Sequence, residues 1–194
     1  MKNIFYIHGI NSTSLSFNYI WSKLPPHNIQ YIEYGFEDDI EKITKKVTTI
    51  ISNYKDKQFS LVGHSVGGLI AVLSQLNTEI NIDKIVTIAT PFNGCKLTSV
   101  LKRLHPHYTT VINDLKTDSE FISKIRTISL NKPILSIVGT YGKFPKLKEP
   151  NDGMMTVQSQ KSLTGPKYVE VAANHFEILL HDDTVSTIKN FLIR

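Results

Sequence analysis

Gly63-His64-Ser65-Val66-Gly67 sets a serine between two glycines. It follows the apolar run Phe59-Ser60-Leu61-Val62 and leads into Gly68-Leu69-Ile70-Ala71-Val72-Leu73. A strand that turns sharply into a helix brings backbone segments so close that side chains at residues 63 and 67 would clash, so both positions suit glycine. The same turn aims the Ser65 hydroxyl out of the sheet. It also leaves the Val66 N–H at the start of a helix, where it can donate to a developing oxyanion. This is the chemistry of a serine nucleophile. A glycine-cushioned turn with an incidental serine is the alternative reading, so a base and an orienting acid must be found elsewhere in the chain.

Seven histidines compete for the role of base. His8 precedes the turn, and His64, next to Ser65 in sequence, should point its ring away from it. His27 lies between a helix and a strand at the wrong end of the sheet. His105 and His107 fall in a long loop and could line a cleft, whereas His181 suits a helix cap. His175 follows the strand Tyr168–Ala172 and precedes the last helix, which sets it at the carboxyl edge of the sheet and makes it the expected base. For the acid, Asp152 in Glu149-Pro150-Asn151-Asp152-Gly153 belongs to the same edge, although turn chemistry alone would also explain Asn-Asp-Gly. Asp182 and Asp183 fit the first turn of the last helix, where the helix dipole favours them. Asp114 and Asp118 fall in a helical segment on the flank. The chain order Ser65, Asp152, His175 is the order that accompanies a nucleophile turn of this kind.

The elements that must hold these residues alternate along the chain. Strands are expected at 3–7, 29–34, 58–62, 84–89, 134–138 and 167–172. An amphipathic helix from Asp38 carries Ile40, Ile43, Val47 and Ile50 on one face. Helices follow at 66–77, near 110–126 and from 182, where Val185, Ile188 and Leu192 share a face. The strands are near-continuous apolar runs, as in strands covered on both sides, and the alternation predicts a parallel sheet flanked by helices. The long loops 91–109 and 139–156 are where function should reside.

Composition narrows the field. A chain of 194 residues with 41% hydrophobic and 20% charged residues suits one soluble domain. No apolar segment approaches the ~20 residues of a membrane span, and the start lacks the pattern of a signal peptide, so a cytoplasmic protein is expected. The net charge of +5 comes from lysines dispersed among acids. Their densest group, Lys143, Lys146 and Lys148, reads as a solvated loop rather than a nucleic-acid surface. The single cysteine, Cys95, excludes an internal disulfide and a cysteine-rich zinc cluster and suits a loop or packing position.

Taken together, these residues resemble an α/β-hydrolase, and within that fold the small bacterial triacylglycerol lipases and esterases, over nearly the whole chain. Tyr6-Ile7-His8-Gly9-Ile10-Asn11 is similar to the family's oxyanion loop and implies Ile10 N–H as a second donor beside Val66 N–H. Gly63 to Gly68 resembles the lipase elbow, and Thr87 to Gly94 the segment after the next strand, with Phe92 in place of a histidine. Asp114 to Ile122 resembles a polar helix of these lipases. Asn151 to Val157 resembles the acid loop, and Asn174 to Leu179 the catalytic-histidine loop. The resemblance implies a minimal α/β-hydrolase fold, a mostly parallel six-stranded sheet with helices on both faces. It also implies a Ser65-Asp152-His175 triad that needs no metal or cofactor.

Three functions fit this reading. The first is a carboxylic-ester hydrolase acting on a small ester or lipid. The second is a thioesterase, amidase or acyltransferase with the same triad. The third is a non-catalytic binder, disfavoured because every triad and oxyanion position holds a usable residue. Phe17, Tyr19, Phe92, Leu97, Met154 and Met155 are candidates for an apolar acyl pocket, although each also fits plain core packing. In 91–109, Leu97, Val100, Leu101 and Leu104 share one helical face opposite Lys96, Lys102 and Arg103. That segment is either a lid over Ser65 or a helix packed on the body of a single domain, 1–194. The expectation is a partly covered, modest cleft for short or medium acyl chains, with no nucleic-acid partner and at most a weak contact with a membrane surface.

Overall fold

The computed structural model describes residues 1–54, 57–145 and 147–193. Among them are six strands: β1 (Asn3–Ile7), β2 (Asn28–Ile32), β3 (Phe59–His64), β4 (Ile82–Ile88), β5 (Ile134–Gly139) and β6 (Lys167–Val171). They form one sheet in the order β2-β1-β3-β4-β5-β6, and every neighbouring pair is parallel. Eight α-helices accompany them: α1 (Asn18–Lys23), α2 (Ile40–Ser52), α3 (Val66–Ser74), α4 (Thr98–Leu104), α5 (Thr109–Asp114), α6 (Glu120–Arg126), α7 (Val157–Gln160) and α8 (Asp182–Leu192).

Because successive side chains of a strand point to opposite faces, β1 divides its residues between two cores. Phe5 and Ile7 join Phe59, Leu61 and the buried faces of α2 to α6 in one core. Ile4 and Tyr6 join Val62, Val86, Ile20 of α1 and Val185, Ile188 and Leu192 of α8 in the other. Helices thus cover both faces of the sheet, which is why β3 and β5 are buried along their whole length.

Several expected boundaries move. Ile51, not Ile50, completes the buried face of α2. The helical period aligns Ile51 with Ile40 and Val47, and Ile50 is left 38% exposed. The helical stretch near 110–126 is two helices, α5 and α6, and Asp118 lies in the turn between them. Tyr34 falls beyond β2 and stacks on His8, with ring centroids 4.4 Å apart. Leu104 is 62% exposed and so leaves the apolar face expected for α4. Lys143 and Lys148 are exposed, and Lys146 lies outside the described residues. No helix among the described residues is long and apolar enough to cross a membrane.

Candidate active site

β1 lies between β2 and β3, so the chain leaves β1 in one direction across the sheet and later continues in the other. The carboxyl ends of β1 and β3 flank this switch in strand order, where open α/β sheets bind ligands. Ser65 sits there between β3 and α3. Its backbone is strained, with φ 53° and ψ −122°, a conformation that costs on the order of 1–3 kcal/mol. The Ser65 N–H donates to the Ile88 carbonyl of β4 at 2.8 Å, which ties the turn down.

The flanking glycines are required by contact. A methyl group at Gly67 would lie 2.1 Å from the Ile7 carbonyl oxygen, and one at Gly63 would lie 2.3 Å from the Gly67 carbonyl oxygen. Across the turn stands the loop that follows β1. A methyl group at Gly9 would lie 3.0 Å from Ser65 Cβ, so this loop is pressed against the serine. Ile10, Val66 and Ser65 line a common cleft. Val66 is the first residue of α3, where N–H groups lack an intrahelical acceptor.

The carboxyl ends of β5 and β6 supply the rest. His175 Nδ1–H donates to Asp152 Oδ2 at 2.7 Å, with His175 4% exposed and Asp152 fully buried. The second carboxylate oxygen, Oδ1, accepts the backbone N–H groups of Met154 at 2.9 Å and Met155 at 2.6 Å. The His175 N–H also donates to the Asp152 carbonyl at 2.8 Å, so the two loops are joined through backbone as well as side chains. A histidine so held keeps Nε2 as the nitrogen left for a nucleophile. His175 and Ser65 line the same cleft of about 90 Å³, with Leu101, His105, Leu115, Met154 and Met155 on its apolar side. A larger cavity of about 420 Å³, lined by Lys2, Asn3, Phe59 and Asp83, lies at the amino ends of β1 and β4 and touches none of these residues.

The expected acyl pocket is corrected in part. Met154 and Met155 line the cleft. Phe17, Phe92 and Leu97 do not: Phe17 packs against Tyr6 on the α1/α8 side of the sheet, and Phe92 and Leu97 are buried in the other core. Membership of a loop at the catalytic edge does not fix the direction of a side chain, and burial of apolar area turned these three inward. Tyr19 also lies apart, its hydroxyl donating to Asp182 at 2.7 Å. Asp114 accepts the Ile40 N–H at the start of α2. His181 caps α8 by accepting the Asp183 N–H. Cys95 is buried, and its thiol is pushed up to about 11 by that burial.

Two further residues buttress the site, and the first of them carries no mark in the sequence. Gln160, fully buried on α7, donates from Nε2 to Asp152 Oδ2 at 3.3 Å and to the Gly139 carbonyl at 3.1 Å, while its Oε1 accepts the Gly139 N–H at 2.9 Å. It thereby fastens Asp152 to the end of β5. The second, His64, packs beside His175. Its ring stands 4.9 Å from that of His175, and its Nε2–H donates to the His175 carbonyl at 2.8 Å. Burial first, and then His175, push the His64 imidazole down to about 3, so it is neutral at ordinary pH.

Residues 30–181 match the model of DUF915, described as alpha/beta hydrolases of unknown function. The chain belongs to that family. No curated protein matches it. Among solved structures it is similar to the mature lipase BlEst2 of Bacillus licheniformis (TM-score 0.77, 16% identity, covering 98% of this chain and 91% of that one). It is also similar to a lipase-esterase related protein of Clostridium acetobutylicum (TM-score 0.68, 16% identity, 98% and 94%). A third is the lin2722 gene product of Listeria innocua (TM-score 0.68, 17% identity, 99% and 94%). At these identities the likeness concerns the α/β-hydrolase fold.

Proposed function

We propose that this DUF915 protein is a serine hydrolase that cleaves carboxylic esters through an acyl-enzyme, with Ser65 as nucleophile, His175 as base and Asp152 as orienting acid. The observation that carries the reading is the buried 2.7 Å His175–Asp152 hydrogen bond at the cleft that Ser65 also lines. His175 Nε2 takes the Ser65 proton as Oγ attacks the ester carbonyl, while Asp152 holds the tautomer and stabilises the imidazolium. The N–H groups of Ile10 and Val66 receive the oxyanion, each contributing about 3 kcal/mol in the transition state. The strained Ser65 turn fixes the hydroxyl in advance of substrate, so little reorganisation accompanies attack. The scheme calls on no metal or cofactor.

The cleft sets the acyl group. Its volume is small, about 90 Å³, and its walls include Leu101, Leu115, Met154 and Met155. Both favour a short apolar acyl chain. Within a single-domain reading of the chain, 91–109 is a fixed cap: Leu97 is rooted in the core, while Leu101 and His105 border the cleft. A panel of p-nitrophenyl esters of two to twelve carbons, set beside acyl-CoA thioesters and peptide amides, tests the reading. Turnover of the shortest esters, falling beyond four carbons, is expected. Preference for the thioester or the amide would transfer the chain to another acyl class.

A further inference from the structure

His175 has a cavity on either side of it. The small cleft with Ser65, Ile10 and Val66 is one. The other, about 410 Å³, is lined by Tyr141, Lys143, Asn174, Phe176 and Glu177 and shares Met154, His175 and Phe176 with the first. Neither Ser65 nor an oxyanion residue lines it.

The chemistry assigns the two spaces to different halves of a substrate. The carbonyl must lie where Oγ of Ser65 and the N–H groups of Ile10 and Val66 converge, which keeps the acyl chain in the small apolar cleft. The oxygen that leaves must lie within a hydrogen bond of His175, because His175 protonates it as the bond breaks. The group attached to that oxygen therefore continues past His175, toward the larger cavity. We propose that this cavity is the leaving-group subsite, and that the enzyme acts on esters joining a short acid to a bulky, polyhydroxylated alcohol such as a sugar. The inference rests on the serine-esterase reading above. The volumes differ more than fourfold in favour of the alcohol side. Its walls offer an ammonium at Lys143, a carboxylate at Glu177 and an amide at Asn174, groups that suit hydroxyls and not an alkyl tail. Tyr141, 65% exposed, and Phe176, 61% exposed, give aromatic faces of the kind on which a sugar ring packs.

The reaction balances without another reagent. Ser65 Oγ bonds to the acyl carbon, and the ester C–O bond breaks. The serine proton, carried on His175, goes to the departing sugar oxygen. Water then attacks the acyl-enzyme through the same histidine and releases the short acid.

The test compares vinyl acetate, which places almost nothing in the larger cavity, with a monoacetylated hexose and with vinyl decanoate. The proposal expects kcat/KM for the acetylated hexose to exceed that for vinyl acetate by tenfold or more, despite the better leaving group of the vinyl ester, and vinyl decanoate to be the poorest. Lys143→Trp, which removes the ammonium from the cavity wall and adds bulk there, should bring the hexose and vinyl acetate values together. Turnover of vinyl acetate with no gain on the hexose, or a preference for the decanoate, would overturn the subsite and leave the esterase reading standing. Inertness toward all three esters in the folded protein would overturn both.

Discussion

The two halves of the site are held by different forces. The Ser65 half is fixed by exclusion of volume: Gly63 and Gly67 let backbone approach within distances that a single methyl group would breach, and the loop at Gly9 is pressed against Ser65. The Asp152–His175 half is fixed by hydrogen bonds, with Met154 N–H, Met155 N–H and the Gln160 amide on the carboxylate and His64 on the histidine's carbonyl. Steric fixing is all-or-none, because backbone cannot yield as a side-chain tip can. Hydrogen-bonded fixing is divided among many partners, each removable at a modest cost. The Ser65 half should therefore fail by misfolding and the Asp152–His175 half by misorientation.

The largest effect that separates these outcomes is expected at Asp152. Asp152→Asn keeps the size of the side chain but presents the wrong hydrogen-bonding group to His175 Nδ1, so kcat on p-nitrophenyl acetate should fall on the order of ten-thousand-fold. The melting temperature should move by only a few degrees. If the activity survives, His175 is oriented by something other than this carboxylate.

Next is the steric half. Gly67→Ala drives a methyl group to 2.1 Å from the Ile7 carbonyl oxygen and 2.5 Å from that of His8. It should cost about 3 kcal/mol or more in urea unfolding, at the upper end of overpacking effects. A variant of near wild-type stability would show that the elbow can open, and the contrast between the halves would collapse.

The halves also differ in how plainly the sequence declares them. The elbow lies within five consecutive residues, so its glycines, its serine and its place between a strand and a helix are visible together. Asp152 and His175 are separated in sequence and are recovered from their shared sheet edge and their order in the chain. Gln160 is invisible, because its role arises only where α7 meets the end of β5 and the Asp152 loop, and an amide in Val157-Gln158-Ser159-Gln160 resembles any other. Phe17, Phe92 and Leu97 mislead for a related reason: a sequence locates a residue in a loop but not the side to which its ring or methyl groups turn. The partner of His64 is equally invisible, because the carbonyl that its ring meets lies 111 residues away.

Gln160→Met probes a single strand of the hydrogen-bonded half. It preserves shape and burial while leaving Gly139 N–H and C=O and one carboxylate oxygen short of a partner. A stability loss of about 2 kcal/mol is expected, with kcat lowered roughly tenfold and KM little changed. Equal losses in a core variant remote from the site would reduce Gln160 to general packing.

The last effect is a slope with pH. The His64 imidazole sits at about 3 in the folded chain and at its ordinary 6.5 when unfolded. Between these values the unfolded state binds more protons, so folding stability is complete above pH 6.5 and declines as pH falls toward 3, by up to about 1.4 kcal/mol per pH unit. Urea unfolding at steps from pH 7 to pH 4.5 should show this decline in the native chain and a flatter profile in His64→Phe. Parallel profiles would mean that His64 is not held neutral by its burial.

The central claim, that the strained turn presents a nucleophile, is met most directly by covalent labelling. The native chain, treated with a small fluorophosphonate, should gain the mass of one phosphonyl group, and peptide mapping should locate that mass on Ser65. Ser65→Ala, folded as judged by circular dichroism, should gain none. Labelling that persists in the folded alanine variant, or that maps to another residue in the native chain, would contradict the assignment of Ser65.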